Sequence, residues 1–346
     1  MKTVRFHEHG GPEVLRYEEV PEPTPTPTQV TLRVKAVALN HLDIWLRKGL
    51  PGVKVPLPKI GGCDIAGEVV AVGSACTRVK PGERIMVSPG WTCGQCAACL
   101  RGEDNLCRAY QIIGGYGVDG GCADFLCVPE VNCIPIPERL DYPSAAAVPL
   151  TFLTAWNMLR RQARLKPGED VLVMGAGSGV GTAAIQIAKL VGARVIAVAS
   201  TDEKLAKATA LGADAGINYA SQDLGQEIRR LTGKRGVDVV FENVGSTTWD
   251  QSVRSLTRGG RLVTCGGTAG YDVTMNVAHL FHKELIIIGS NHGTKRELLA
   301  MLPLLAAGKL RPIVDKVFPL KDARAAHEYI QDRRVFGKVV LVPEHD

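Results

Sequence analysis

The stretch VLVMGAGSGVG, residues 171–181, constrains the fold of this chain more than any other. An apolar run ends in four alternating glycines, Gly175, Gly177, Gly179 and Gly181, and TAAIQIAKLV follows with the apolar spacing of a helix. The valine-rich ARVIAVAS comes next, so residues 166–200 read as strand, glycine turn, helix and strand. That is a βαβ unit, and the alternation continues. TDEKLAKATALGA, SQDLGQEIRRLT and TTWDQSVRSLT read as helices, and GINY, GVDVVFENVG and GGRLVTCGG as strands. Strands separated by such helices predict a doubly wound parallel sheet.

Glycines lacking side chains let the backbone approach a pyrophosphate, and a helix N-terminus offers N–H groups and a positive dipole end. The spacing departs from G-x-G-x-x-G, with Val180 between the last two glycines. An ordinary strand–helix turn is the alternative, but the βαβ context favours a dinucleotide. The second strand ends at Ala199 and Ser200 with no carboxylate to hold a ribose 2′-hydroxyl. Asp202 lies further on, where its structural role would be a helix cap. Lys204 could pair with a 2′-phosphate, and Tyr219, ending the third strand, could hydrogen-bond to it. These residues favour NADP(H), with NAD(H) as the alternative; Lys204 would otherwise be a solvated helix lysine.

Before residue 150 the texture is different. TQVTLRVKAVAL (28–39), AGEVVAVGS (66–74) and VKPGERIMV (79–87) read as short strands punctuated by Gly and Pro, the pattern of a β-barrel. SAAAVPLTFLTAWNMLRR (144–161) reads as a helix entering the second region. The tail supplies two helices, in ELLAMLPLLAAGKL and FPLKDARAAHEYIQDR, and a closing strand, KVVLV.

Within the β-rich part, Cys93, Cys96, Cys99 and Cys107 are spaced C-x2-C-x2-C-x7-C. Four thiolates on a short loop suit tetrahedral zinc and leave no position open for substrate. An iron–sulfur cluster is the alternative. The N-terminus lacks the apolar run of a signal peptide and no window is long enough for a membrane helix, so a cytoplasmic, non-membrane protein is expected. In that compartment clustered cysteines favour metal over disulfides. The formal charge of +6 comes without a run of basic residues, which argues against nucleic acid.

Together these features resemble the medium-chain dehydrogenase/reductase superfamily, over essentially the whole chain. HGGPEVL (9–15), ALNHLD (38–43), VKPGERI (79–85), PLTFLTAW (149–156) and FGKVVL (336–341) resemble its quinone-reductase-like branch, and the four-cysteine lobe resembles the zinc alcohol dehydrogenases. The resemblance implies a chaperonin-10-like, β-rich substrate domain (1–149 and 289–346, zinc lobe about 88–110), a Rossmann domain (150–288), and a homodimer or homotetramer.

The resemblance also locates where a catalytic zinc would sit. The family's early cysteine falls on Asn40, its histidine on Cys63, its glutamate on Asp64 and its later cysteine on Leu150, while the relay hydroxyl falls on Leu42. An alkyl chain cannot ligate metal, so one structural zinc is expected and no catalytic one, unless Cys63 with Asp64 or His41 recruits a metal. His41 falls on a pyrophosphate contact. Asn40 and Thr154 are implied at the nicotinamide end, and Asn243, Gly266, Gly267 and Lys338 at the cofactor groove. As purely structural residues, Asn40 would cap a turn, Thr154 would be a helix hydroxyl, and Lys338 would lie on the surface. His279, His282, His292 and His327 show no readable partner. The implied activity is NADPH-dependent reduction of a quinone or activated alkene; the alternative is an NAD(P)-dependent alcohol dehydrogenase.

Overall fold

A computed structural model describes residues 1–50 and 52–344; Pro51 and the last two positions of the expected substrate domain lie outside the described residues. The chain divides into two compact units, Met1–Leu150 with Thr294–Gly308 and Pro312–Asp346, and Thr151–Gly293 with Lys309–Arg311.

The first unit is β-rich. Its strands are β1 (Lys2–Phe6), β2 (Leu15–Glu19), β3 (Gln29–Ala38), β4 (Lys59–Ile60), β5 (Asp64–Val72), β6 (Arg84–Val87), β7 (Gly90–Trp91), β8 (Gln111–Ile112), β9 (Phe125–Pro129) and β10 (Cys133–Pro135). Helices α1 (His41–Lys48), α2 (Ala97–Leu100) and α3 (Tyr142–Ala146) interrupt them. Helix α4 (Pro149–Trp156) leads out of this unit and continues as a π-helical turn, Asn157–Gln162.

The second unit holds β11 (Asp170–Val173), α5 (Gly179–Val191), β12 (Arg194–Ala199), α6 (Asp202–Ala210), β13 (Ala215–Asn218), α7 (Leu224–Leu231), β14 (Val237–Glu242), α8 (Trp249–Arg254), β15 (Leu256–Thr264), α9 (Val277–His282) and β16 (Ile286–Gly289). All six strands run parallel in the order β13-β12-β11-β14-β15-β16, so the sheet is Rossmann-like. Leu172, Ile196, Val240 and Leu262 bury its interior.

The tail returns to the first unit as α10 (Lys295–Ala306), β17 (Val314–Pro319), α11 (Ala323–Gln331) and β18 (Lys338–Val342). Here β18 enters the large sheet, ordered β10-β6-β5-β3-β18-β17 with β9 also on β3. Leu32, Val37, Ile65, Ile85 and Leu341 share its core. Two strand registers set residues distant in sequence side by side. β18 lies antiparallel to β3 with Val340 opposite Ala38 and Leu341 opposite Val37, and β3 pairs Ala38 with Asp64 on β5.

Two local readings change. Residues 144–161 are not one helix: Pro149, lacking an N–H and restricting Val148, separates α3 from α4. The stretch after Asn40, read within a region of strands and turns, forms α1. Its start is fixed by the Asp43 carboxylate, which accepts the Asn40 N–H at 2.7 Å, and it stops at Gly49, whose φ is +90°.

Candidate functional site

The strand registers bring three polar side chains together. Lys338 Nζ donates to Asn40 Oδ1 at 2.6 Å and to Asp64 Oδ2 at 2.8 Å, and Asn40 Nδ2 donates to Asp64 Oδ2 at 3.0 Å. Lys338 and Asp64 are 4% and 0% exposed, so this is a buried ion pair bridged by an amide. The other Asp64 oxygen accepts the Leu150 N–H at 2.7 Å. Lys338 is therefore no surface lysine, and Asn40 does more than cap a turn.

All four positions matched to a catalytic zinc site thus converge. Asn40 Nδ2 lies 3.3 Å from Cys63 Sγ, and Cys63 and Leu150 pack with Leu42, Ile112, Tyr110 and Tyr116. The donor set does not fit a metal. Leu150 offers only an alkyl chain, burial pushes the Cys63 thiol well up, and an ammonium already occupies the Asp64 carboxylate. Among the described residues only Cys93, Cys96, Cys99 and Cys107 form a group of three or more His, Cys, Asp or Glu able to hold a metal ion.

Those four sulfurs do fit. Zinc–sulfur bonds of about 2.3 Å in a tetrahedron place sulfurs roughly 3.8 Å apart. Here Cys93–Cys107, Cys96–Cys99 and Cys93–Cys99 are separated by 3.5, 3.6 and 4.0 Å. The loop's Asp104 accepts the Lys295 N–H at 3.2 Å, tying the lobe to the first turn of α10.

Two residues flank the Asn40 cluster on α1. His41 is half-buried at the first helical position, and burial, reinforced by Arg333, Lys338 and Lys48, lowers its pKa to about 4. Asp43 accepts from Asn40 N and, at 2.8 Å, from Gly62 N. Burial raises its pKa to about 6 against those hydrogen bonds. Sequence reading passed over Asp43; the signal was its place three residues after a potential N-cap.

In the second unit the glycine turn is tightly packed. Gly175 has φ +61°, and a Cβ on Gly181 would lie 2.4 Å from the Gly175 carbonyl oxygen. Ser178 caps α5 by accepting the Gly181 N–H, which leaves Gly179 and Val180 with no helical carbonyl to bond. Asn243 packs on the turn, donating to Ser178 Oγ at 3.3 Å. Gly267 is buried and Gly266 half-buried just after β15, and Thr154 is 6% exposed on α4. Beyond β12, Thr201 rather than Asp202 caps α6, accepting the Lys204 N–H at 3.3 Å. Asp202 instead accepts from Asn218 Nδ2 at 2.8 Å through one carboxylate oxygen. Ser200 and Lys204 are half-buried, and Tyr219 is exposed.

Of the histidines, His279 and His282 lie on α9, while His327 on α11 is 4% exposed. No helix among the described residues is long and apolar enough to cross a membrane.

Comparison with known proteins agrees with this architecture. Residues 26–138 match the alcohol dehydrogenase GroES-like domain, and residues 179–307 match zinc-binding dehydrogenases. The chain is 34% identical to an NAD-dependent alcohol dehydrogenase of Sulfurisphaera tokodaii, covering 99% of this chain and 100% of that one. It is 32% identical to an acryloyl-coenzyme A reductase of Metallosphaera sedula, covering 98% of each. A crystal structure of an NAD-dependent alcohol dehydrogenase superposes with a TM-score of 0.95 at 47% identity, covering 99% of both chains.

Proposed function

This chain belongs to the zinc-type medium-chain dehydrogenase/reductase superfamily of alcohol dehydrogenases and quinone oxidoreductases, and from that premise we propose that it reduces a quinone or an activated alkene with NADPH and without a catalytic metal. The observation that carries this reading is the Asn40–Asp64–Lys338 cluster, in which an amide and an ammonium engage the carboxylate at positions matched to a catalytic zinc site, beside a leucine that cannot ligate metal.

Held at the glycine turn from Gly175 to Gly181, a nicotinamide dinucleotide would supply the hydride. The remaining requirements fall to the chain and to solvent. Charge that collects on the substrate oxygen is met by the fixed positive field of Lys338, which borders the cofactor groove. Two of the three ammonium N–H groups are spent on Asn40 and Asp64, which hold the charge in place. Leu42, Leu150, Tyr110 and Tyr116 pack around Cys63, which neighbours Asn40, and make that side of the cluster apolar. Solvent returns the proton.

Asn40 and Thr154 are assigned to the nicotinamide end. His41, Gly175, Gly177, Gly179, Val180, Gly181, Asn243, Gly266, Gly267 and Lys338 are assigned to the cofactor groove, with Ser200, Lys204 and Tyr219 toward the 2′-phosphate. The end of β12 at Ala199, followed by Ser200 with no carboxylate, supports NADP(H) over NAD(H). Cys93, Cys96, Cys99 and Cys107 hold one structural zinc. The domains are a chaperonin-10-like substrate domain, 1–149 and 289–346, and a Rossmann domain, 150–288. A homodimer or homotetramer is supported by edge strand β16, whose Ile286 is exposed, and by the exposed Phe281 on α9.

A second reading, NAD(P)-dependent alcohol oxidation, draws on the activity named for two of the relatives. It asks the site to deprotonate an unactivated alcohol, for which Asn40, Cys63, Asp64 and Leu150 offer no Lewis-acid seat. The experiment offers NADPH with enones and quinones against NADP⁺ with simple alcohols, beside a metal count. Reduction of the former with one zinc per chain supports the proposal. Chelator-sensitive alcohol oxidation with two zincs overturns it.

A further inference from the structure

Behind α1 lies a small internal cavity of about 20 Å³. Its walls include Val4, Phe6 and Leu46, and three groups with polar atoms, Asp43, Cys122 and His327. His327 is 4% exposed, and its Nδ1 has no hydrogen-bond partner among the described residues. A buried polar nitrogen left unsatisfied costs about 1–3 kcal/mol. A cavity of this size has room for one water, which needs two to four polar partners. The carboxylate of Asp43 has lone pairs beyond the two that accept from Asn40 and Gly62. The Cys122 thiol is a weak third partner.

We propose that this cavity is a built site for one water molecule, bonded to His327 Nδ1 and the Asp43 carboxylate. Through that water His327 is a positioning residue for Asn40. The route is short: His327 orders the water, the water orients Asp43, and Asp43 fixes the backbone N–H groups of Asn40 and Gly62. Those N–H groups flank the side chains that hold Lys338. The second half rests on the function proposed above, whereas the water site stands independently of it.

The test begins with a crystal structure of the wild-type protein at a resolution where waters are visible. An ordered water within hydrogen-bond distance of both His327 and Asp43 is expected; an empty cavity overturns the proposal, whatever substrate the enzyme takes. Kinetics then use any substrate the protein turns over. His327→Leu is expected to lower kcat about tenfold with KM for the nicotinamide cofactor unchanged, a loss typical of a misplaced group. His327→Asn, which can still bond a water, is expected to recover most of it. Unchanged kcat in His327→Leu, or equal losses in both variants, overturns the positioning role. Should the leucine variant not fold, His327→Asn alone still decides: density for the retained water with near-normal kcat supports the role, and retained water with a tenfold loss overturns it.

Discussion

Lys338 Nζ sits 2.8 Å from Asp64 Oδ2, and neither side chain has more than 4% of its surface open to solvent. The two residues are 274 positions apart, joined because β18 and β5 flank β3.

Removing one partner strands the other charge in the interior. Asp64→Leu or Lys338→Met alone is expected to destabilise the protein by about 3–5 kcal/mol. The double variant is expected to recover much of that, because two apolar side chains leave no buried charge. Urea unfolding of the four proteins reads the coupling directly. All three variants are expected to lose reductase activity.

Metal content separates the two cysteine sites. Cys96→Ser is expected to lose the zinc and lower the unfolding temperature, since a structural site contributes folding free energy outright. Cys63→Ala is expected to keep one zinc per chain. Inductively coupled plasma analysis of dialysed protein makes the comparison.

Acid stability reports on His327. Burial, with Arg47 nearby, lowers its pKa to about 3 from an ordinary 6.5. A base depressed in the folded state contributes stability above the unfolded value and loses it as pH falls through the folded one. The neutral ring's contribution is thus complete above 6.5 and declines toward 3, at on the order of 1.4 kcal/mol per pH unit. Asp43, raised to about 6 by burial, acts in the opposite sense, favouring the folded state at low pH and losing that advantage as pH rises through about 6. In His327→Asn the fall in stability on acidification should be shallower than in the wild type, measured as urea midpoints across that window. Parallel curves would contradict the assignment.

Cofactor choice is expected to depend on Lys204. A charge-assisted hydrogen bond to phosphate contributes about 1.5–3 kcal/mol, and part of that is screened at a half-buried side chain. Lys204→Ala is expected to raise KM for NADPH about tenfold and leave that for NADH unchanged. Lys204→Arg is expected to restore the preference. Initial-rate kinetics with both cofactors decide the point.

Much of the fold was legible because it repeats local patterns. The glycine turn and the alternation from β11 to β15 announce a parallel sheet, and four cysteines within fifteen residues announce a metal lobe. Edge strand β16 and helix α1 were not read; both are short, and α1 depends on Asp43 reaching back to Asn40. The site was legible only in part. Matching by position marked Asn40, Cys63, Asp64 and Leu150, but nothing local tells a reader that Lys338 completes them. That pairing follows from strand register, a long-range property. Asp202 illustrates the converse: its sequence context suggested a cap, and the neighbouring hydroxyl of Thr201 took that role.

The register of β18 also sets an order of events during synthesis. Asp64 is made early, yet its counter-charge arrives only when residue 338 has been added and β18 has docked on β3. Until then an N-terminal fragment carries a carboxylate whose burial is unfavourable, and its large sheet exposes the β3 edge that β18 will occupy. A chain ending before residue 338 would therefore lack at one stroke the charge that balances Asp64 and the strand that covers this part of β3.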